Sequence, residues 1–254
     1  MIRLVLAAIA VLGLAPPSAS AARRVVSLNL CTDQYLVLLA PEQIAALSPL
    51  SRDPALSFVA AGASRFPQTR ASAEAVLRLA PDLVLAAPFG AQSTLALLEA
   101  EGVTVERIGL AQDFAAIRRE TRQLATRLGE QARGEALVSA MDARLASIPH
   151  KTHPIRALIW EPRGYTAGAG SLGDAVLRAA GLENVGSGGR IGLETLLSVQ
   201  PDVLVLPSPD RAPSLATELL DHPATQAIPR RFIPPSLTIC AGPWTAEAAI
   251  LLAR

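Results

Sequence analysis

The side chains able to do chemistry are few. Only two cysteines, Cys31 and Cys240, occur in the 254 residues. They allow a single disulfide, or they offer soft thiolate donors to a metal or cofactor. A bridge between them requires Cα atoms within about 7 Å, a condition on the fold rather than on the sequence. Cys31, close to Asp33, or the hydroxyl of Ser27 would act as a nucleophile only beside a base. The three histidines do not supply one, since His150 and His153 lie between Pro149 and Pro154 and His222 precedes Pro223 in a surface turn. Nor do they form a metal centre, which wants three or four converging His, Asp or Glu ligands. No Gly-x-Ser-x-Gly elbow and no phosphate loop is present. A periplasmic enzyme or redox protein using Cys31 and Cys240 is therefore the secondary reading, behind binding without chemistry.

The remaining candidates are groups suited to holding a ligand. Aromatic residues make up only 4% of the chain, yet Phe66, Phe89, Trp160, Tyr165 and Trp244 fall in or beside segments that follow strands. Their faces suit a large planar ligand and equally suit core packing, Trp160 above all because it ends a strand. Arg52, Arg65, Arg163 and Arg190 could neutralise an anionic group through forked hydrogen bonds, with Arg65 and Arg190 the best placed.

The elements that position these residues follow an α/β pattern. Val25 to Leu28 reads as a buried strand, and Thr32 or Asp33 can cap a helix running to Ala40. Beyond a Ser-, Pro- and Arg-rich loop, a short helix from Ala73 to Ala80 is stopped by Pro81, which cannot continue the helical ladder. Strand Asp82 to Ala86, helix Gln92 to Glu101 and strand Val103 to Ile108 complete a parallel lobe over 23–112. Residues 113–148 contain no proline and only Gly129 and Gly134 as interruptions. They predict one long bridging helix, or two nearly collinear ones, reaching roughly 50 Å. From Ile155 the strand-turn-helix pattern restarts, so 149–254 forms a second lobe. In open α/β lobes ligands bind beyond the carboxyl ends of the strands. That rule selects Asn29 to Asp33, Arg65, Phe66, Pro88 and Phe89 in the first lobe. In the second it selects Trp160 to Tyr165, Arg190 and Thr238 to Trp244, so Cys31 and Cys240 face the cleft from opposite lobes.

An internal echo supports two related lobes. Glu74, Leu77, Pro81 and Asp82 recur in register, without a gap, as Glu194, Leu197, Pro201 and Asp202, the mark of a repeat. Arg3, the apolar run Leu4 to Ala15 and the small residues Ala19 to Ala21 predict a secretory signal peptide over 1–22, cleaved after Ala21 or Ala22. No cysteine stands at that site to mark a lipoprotein. With a formal net charge of +1, the chain has no basic field to attract nucleic acid.

Two α/β lobes joined by a long helix behind a signal peptide resemble the class III periplasmic substrate-binding proteins of ATP-driven importers, the family of cobalamin- and ferric-siderophore-binding components. The resemblance rests on the opening Arg24-Val-Val-Ser-Leu, the doubled Glu-Leu-Pro-Asp unit, Tyr165 to Gly168 and Gly242-Pro-Trp244, and it covers nearly all of the chain past residue 22. It implies a cleft between the lobes that holds a metal chelate, a corrinoid such as cobalamin first, then a ferric siderophore, then haem. It implies a periplasmic monomer without a resident cofactor or metal. It also implies one glutamate at each lobe's tip, here Glu74 and Glu194, that pairs with arginines of a two-fold membrane permease. On residue chemistry alone each glutamate need do no more than favour its helix N-terminus, worth about 0.3–1 kcal/mol.

Overall fold

The structure, a computed structural model, describes residues 24–149, 153–208 and 214–254. The expected signal peptide and His150 lie outside the described residues. The strands are β1 (Val25–Ser27), β2 (Ile44–Ala46), β3 (Leu83–Ala86), β4 (Val105–Arg107), β5 (Ile155–Ile159), β6 (Tyr165–Thr166), β7 (Leu182–Asn184), β8 (Gly189–Arg190), β9 (Val203–Leu206) and β10 (Arg230–Phe232). The helices are α1 (Leu30–Leu39), α2 (Ala60–Ala63), α3 (Ala73–Leu77), α4 (Gln92–Ala100), α5 (Phe114–Leu128), α6 (Gln131–Ala146), α7 (Leu172–Ala179), α8 (Leu193–Val199) and α9 (Ala246–Ala253).

Two all-parallel four-stranded sheets form two lobes, in the orders β2-β1-β3-β4 and β7-β5-β9-β10. The two orders correspond strand for strand, so the repeat read in the sequence is a repeat of topology. Each central strand is buried on both faces, which is why it reads as a continuous apolar run. In β3, Leu83 and Leu85 enter one core while Val84 and Ala86 enter another. In β9, Val203 and Val205 point one way and Leu204 and Leu206 the other.

The repeated Pro-Asp unit has a physical cause. Before each proline the chain takes a left-handed turn, at Ala80 (φ 43°) and at Gln200 (φ 50°). The aspartate that follows is tied to the neighbouring strand at both of its ends. The Arg24 backbone N–H donates to the Asp82 carboxylate at 3.0 Å, and that of Arg156 donates to Asp202 at 2.9 Å. The Arg24 guanidinium closes the end of α3 on the Leu79 and Ala80 carbonyls, and the Arg156 guanidinium does the same for α8 on Val199 and Gln200.

The connection between lobes differs from the single rod that the proline-free run predicts. The chain folds back at Gly129, whose φ of 77° is the left-handed helix-ending conformation that glycine adopts without strain. α5 and α6 therefore lie antiparallel, a helical hairpin rather than one long or two collinear helices. Forked pairing of Arg122 with Glu135 at 2.7 and 3.1 Å and an Arg118–Asp142 pair at 2.6 Å run across it. The hairpin still bridges. Phe114 and Ile117 of α5 and Met141 of α6 pack in the second lobe's core, whereas Leu124, Ala125 and Leu128 pack in the first's.

The C-terminal segment makes another crossing. Cys240 and Trp244 sit in the first lobe's core, yet Ala246 to Leu252, just beyond, belong to the second's. A Cys31–Cys240 disulfide, with Cα atoms 5.2 Å apart, staples that crossing to the start of α1.

Candidate ligand cleft

Two joined chambers lie at the carboxyl ends of the strands. The larger, about 660 Å³, is walled by the ends of β5, β9 and β10 and by the start of α7. The smaller, about 260 Å³, lies between the lobes, walled by Asn29, Tyr35 and Ile108 on one side and Thr238 to Ala241 on the other. Gln112, Leu172, Thr238 and Ile239 line both, which makes the two a continuous cleft. Its position, next to the strand pairs where the order of each sheet reverses, is where open α/β sheets bind ligands.

The local sequence explains how the walls form. Asn29 caps α1, its side-chain oxygen accepting the Cys31 N–H at 2.8 Å, and so sets the chain's turn at the mouth of β1. Behind it Asp33 is wholly buried and accepts hydrogen bonds from the Ser48 backbone N–H and hydroxyl. Burial pushes its carboxyl up to about 6, although the bonds from Ser27 and Ser48 pull the other way. In the second lobe Ser171 caps α7 and also donates to the Gly168 carbonyl at 2.7 Å. The wall there needs glycine, since a Cβ on Gly168 would come within 2.9 Å of the Gly188 Cα.

The electrostatics are one-sided. Among the described residues, no lysine or arginine lines either chamber. The free titratable groups are Glu161 in the larger one and Glu120 and Tyr35 in the smaller. Burial raises the Glu120 carboxyl to about 7, and it raises Glu161 as well. Burial also raises the Tyr35 phenol, helped by the nearby Glu120. The cleft is apolar and faintly acidic, with no nucleophile held against a base and, among the described residues, no group of three or more His, Cys, Asp or Glu placed to hold a metal ion.

The expected ligand residues divide into three groups. Asn29, Cys31 and Cys240 line the smaller chamber. Trp160 and Trp244 are buried in the cores instead. Trp160 is 0% exposed on the outer face of the second sheet, and Trp244 packs edge-on against Tyr35 and stacks on Phe58. Trp160 directly follows β5 and is claimed by a sheet face, whereas Trp244 lies in a turn at Pro243–Thr245, well past β10, and is claimed by the side of α1. The rest stand outside both linings. Arg65 lies over the ring of Phe66, Phe89 is 74% exposed, and Tyr165 pairs with Arg190 between β6 and β8. Arg52 donates to the Phe66 carbonyl at 2.6 Å. Glu74 and Glu194 occupy equivalent exposed places in the first turns of α3 and α8, and Glu74 pairs with Arg78 one turn on.

Sequence reasoning overlooked Tyr35, Gln112, Glu120 and Leu172. One signal for Glu120 existed. It stands three residues after Ile117 and four before Leu124, on the stripe α5 buries, where a charged side chain calls for explanation.

A family model described as periplasmic binding protein matches residues 25–229. The cobalamin-binding protein of Halobacterium salinarum, in two strains, is 29% identical over 165 residues, 60% of this chain and 45% of that protein. The match thus spans less than half the length of those relatives. A possible iron-binding (periplasmic solute-binding) protein from Staphylococcus epidermidis has a TM-score of 0.75 at 18% identity, over 92% of this chain and 98% of that one. The periplasmic heme-binding protein RhuT from Roseiflexus sp. RS-1 has a TM-score of 0.70 at 24% identity, over 91% and 98%. The periplasmic vitamin B12 binding protein BtuF of Vibrio cholerae has a TM-score of 0.64 at 19% identity, over 91% and 95%. At these identities the structural likeness is one of fold. The chain belongs to the periplasmic binding protein family, whose members bind solutes rather than transform them.

Proposed function

We propose that this protein is the exported solute-binding component of an ATP-driven importer, and that it captures a metal chelate between its lobes and hands it to a membrane permease. The observation that carries the reading is the continuous apolar cleft at the switch points of both sheets, whose chambers share four wall residues and hold no catalytic pair. Relatives and fold neighbours described as binding cobalamin, heme and iron support the ligand class. The charge of the cleft supports an order within it. A chelate bearing free carboxylates meets no cation among the described residues of either chamber, whereas a neutral or cationic one meets Glu120 and Glu161. A corrinoid therefore comes first, a ferric siderophore second and haem third.

Delivery runs through Glu74 and Glu194. Their pseudo-equivalent, exposed positions suit a partner with two-fold symmetry, and arginine on that partner offers forked pairing to each. The double reversal Glu74→Arg with Glu194→Arg is expected to abolish uptake in cells while leaving chelate affinity in solution unchanged. Transport surviving that change would overturn the docking surface. Loss of affinity along with uptake would show that the two glutamates act on the cleft instead.

A further inference from the structure

The larger chamber holds one charge that the protein does not answer. Glu161 stands two residues past the end of β5, a central strand of the second sheet, and lines that chamber. Its main chain is pinned at both ends. The Glu161 N–H donates to the Tyr165 carbonyl at 2.8 Å, and the Glu161 carbonyl accepts from the Gly164 N–H at 3.0 Å. This turn requires glycine at 164, where φ is 81° and a Cβ would lie 2.6 Å from the Ile191 carbonyl oxygen. On its other side Trp160 is wholly buried, and its indole N–H donates to the Leu219 carbonyl. The carboxylate, by contrast, is held by nothing. No hydrogen bond or ion pair engages it among the described residues, and burial alone raises its carboxyl. Glu161 is nevertheless exposed. A carboxylate that water reaches, yet that the protein crowds enough to desolvate, stands in a concavity and faces into it.

The rest of the wall narrows what that carboxylate can meet. Among the described residues no other titratable side chain lines this chamber, and Arg163 and Tyr165 of the same turn lie outside the lining, as does Arg190. Neutral donors on a solute find neutral acceptors there, in Gln112, Thr166, Ser171 and Thr238. A partly desolvated charge is different, because it costs free energy until the solute brings a positive group to it. On a metal chelate positive charge is concentrated at the metal, and a water bound to that metal is an acidic, strong O–H donor.

We propose that Glu161 reads the metal centre of the solute, its carboxylate accepting a hydrogen bond from a water held on an axial position of the chelated metal. The metal is part of the cargo, and Glu161 touches it only through that water. The cleft then favours cationic chelates with an exchangeable water over chelates whose metal is enclosed by its own donors or carries an anionic axial ligand. This deepens the chelate-binding reading and rests on it for the identity of the solute. It also accords with placing a corrinoid ahead of a ferric siderophore.

The test titrates the disulfide-bonded protein at pH 7 with aquacobalamin and with cyanocobalamin, reading affinity by calorimetry. The two differ in the upper axial ligand, which is water on a cationic complex in one and cyanide on a neutral complex in the other. The aqua form is expected to bind roughly tenfold more tightly, the worth of a charge-assisted bond, and Glu161→Gln should erase the preference. A second readout follows the corrin absorption of the bound aqua form as pH rises. The Glu161 carboxylate stabilises the cation, so the bound water should lose its proton at a higher pH in the parent protein than in Glu161→Gln. A residue with a merely structural role would, on replacement, weaken both corrinoids alike and leave that transition in place.

A second arm omits the corrin. Hexaamminecobalt(III), a compact cation whose N–H groups take the place of the bound water, is compared by thermal midpoint with hexacyanocobaltate(III), an anion. A saturable response to the cation that Glu161→Gln abolishes, without binding of any chelate, would keep the role of Glu161 and overturn the chelate reading. Equal affinity for the two cobalamins, or a preference that survives Glu161→Gln, would overturn the inference while leaving the chelate reading in place. Binding of a fully enclosed ferric siderophore ahead of aquacobalamin would do the same. Silence toward every probe, chelate or ammine, would overturn both.

Discussion

At the scale of single residues, Asp33 and Glu120 sit where burial favours the neutral carboxyl. Their folded-state values, about 6 and about 7, lie above the ordinary carboxylate range. Between the unfolded and folded values the native state binds more protons, so stability falls as pH rises through that window. For Asp33, which is wholly buried, the loss from about pH 4 to pH 6 is on the order of 3 kcal/mol. Asp33→Asn is therefore expected to gain on the parent protein in urea midpoint as pH rises across that range. A difference between the two proteins that stays constant from pH 4 to pH 7 would contradict the assignment. Asn29 and Cys31 line the smaller chamber where the strand-end rule puts them, just past β1, whereas Cys240, well past β10, is held there by its bond to Cys31. Trp160 was not legible as core, because an aromatic one residue past a strand serves a cleft or a sheet face equally well, and Trp244 was not because no local pattern says which core a late turn joins. Tyr35 was hidden in an apolar helix whose buried and ligand-facing sides look alike in sequence.

Among the elements, the α5–α6 hairpin depends on a close approach. A Cβ on Gly134 would lie 2.4 Å from the Ala125 Cβ on the facing helix. On a free helix surface, glycine to alanine stabilises by up to about 1 kcal/mol. Here Gly134→Ala is expected to destabilise by about 1–3 kcal/mol instead, because overpacking outweighs propensity. Ala125→Gly in the same chain should recover much of the loss, as urea unfolding will show. A rise in stability for Gly134→Ala alone would mean that the helices do not meet there. The central strands β1, β3, β5 and β9 and the doubled Pro-Asp unit were readable from continuous apolar runs and from proline, whereas short edge strands such as β2, β7 and β10 carry no such run. The hairpin was not, since an amphipathic run without proline has the same pattern whether the chain continues or reverses. The reversal is carried by one left-handed glycine, Gly129.

The whole molecule is two lobes held together at more than one place. The hairpin spans both cores, and the C-terminal segment crosses back to the first lobe, where the disulfide fixes it. That disulfide joins residues 209 apart. Replacing both cysteines by alanine is expected to cost about 2–5 kcal/mol in urea unfolding and to weaken solute binding, because Cys31, Thr238 and Ile239 share the cleft wall. Unchanged stability and affinity would mean that the crossing holds without its staple. The two-lobe plan was legible from the repeat, but the crossing was not, since no local pattern says which core a late segment joins.

The central claim is that this cleft binds a metal chelate, and calorimetric titration of the protein with cobalamin, cobinamide, ferric siderophores and haem tests it most directly. The expected result is one-to-one binding of a neutral or cationic chelate, lost in Thr238→Trp, which fills the shared wall, together with a gain of about 2.7 kcal/mol in stability at a hundredfold excess over Kd. No heat from any of these chelates, or binding that survives the filled cleft, would contradict it.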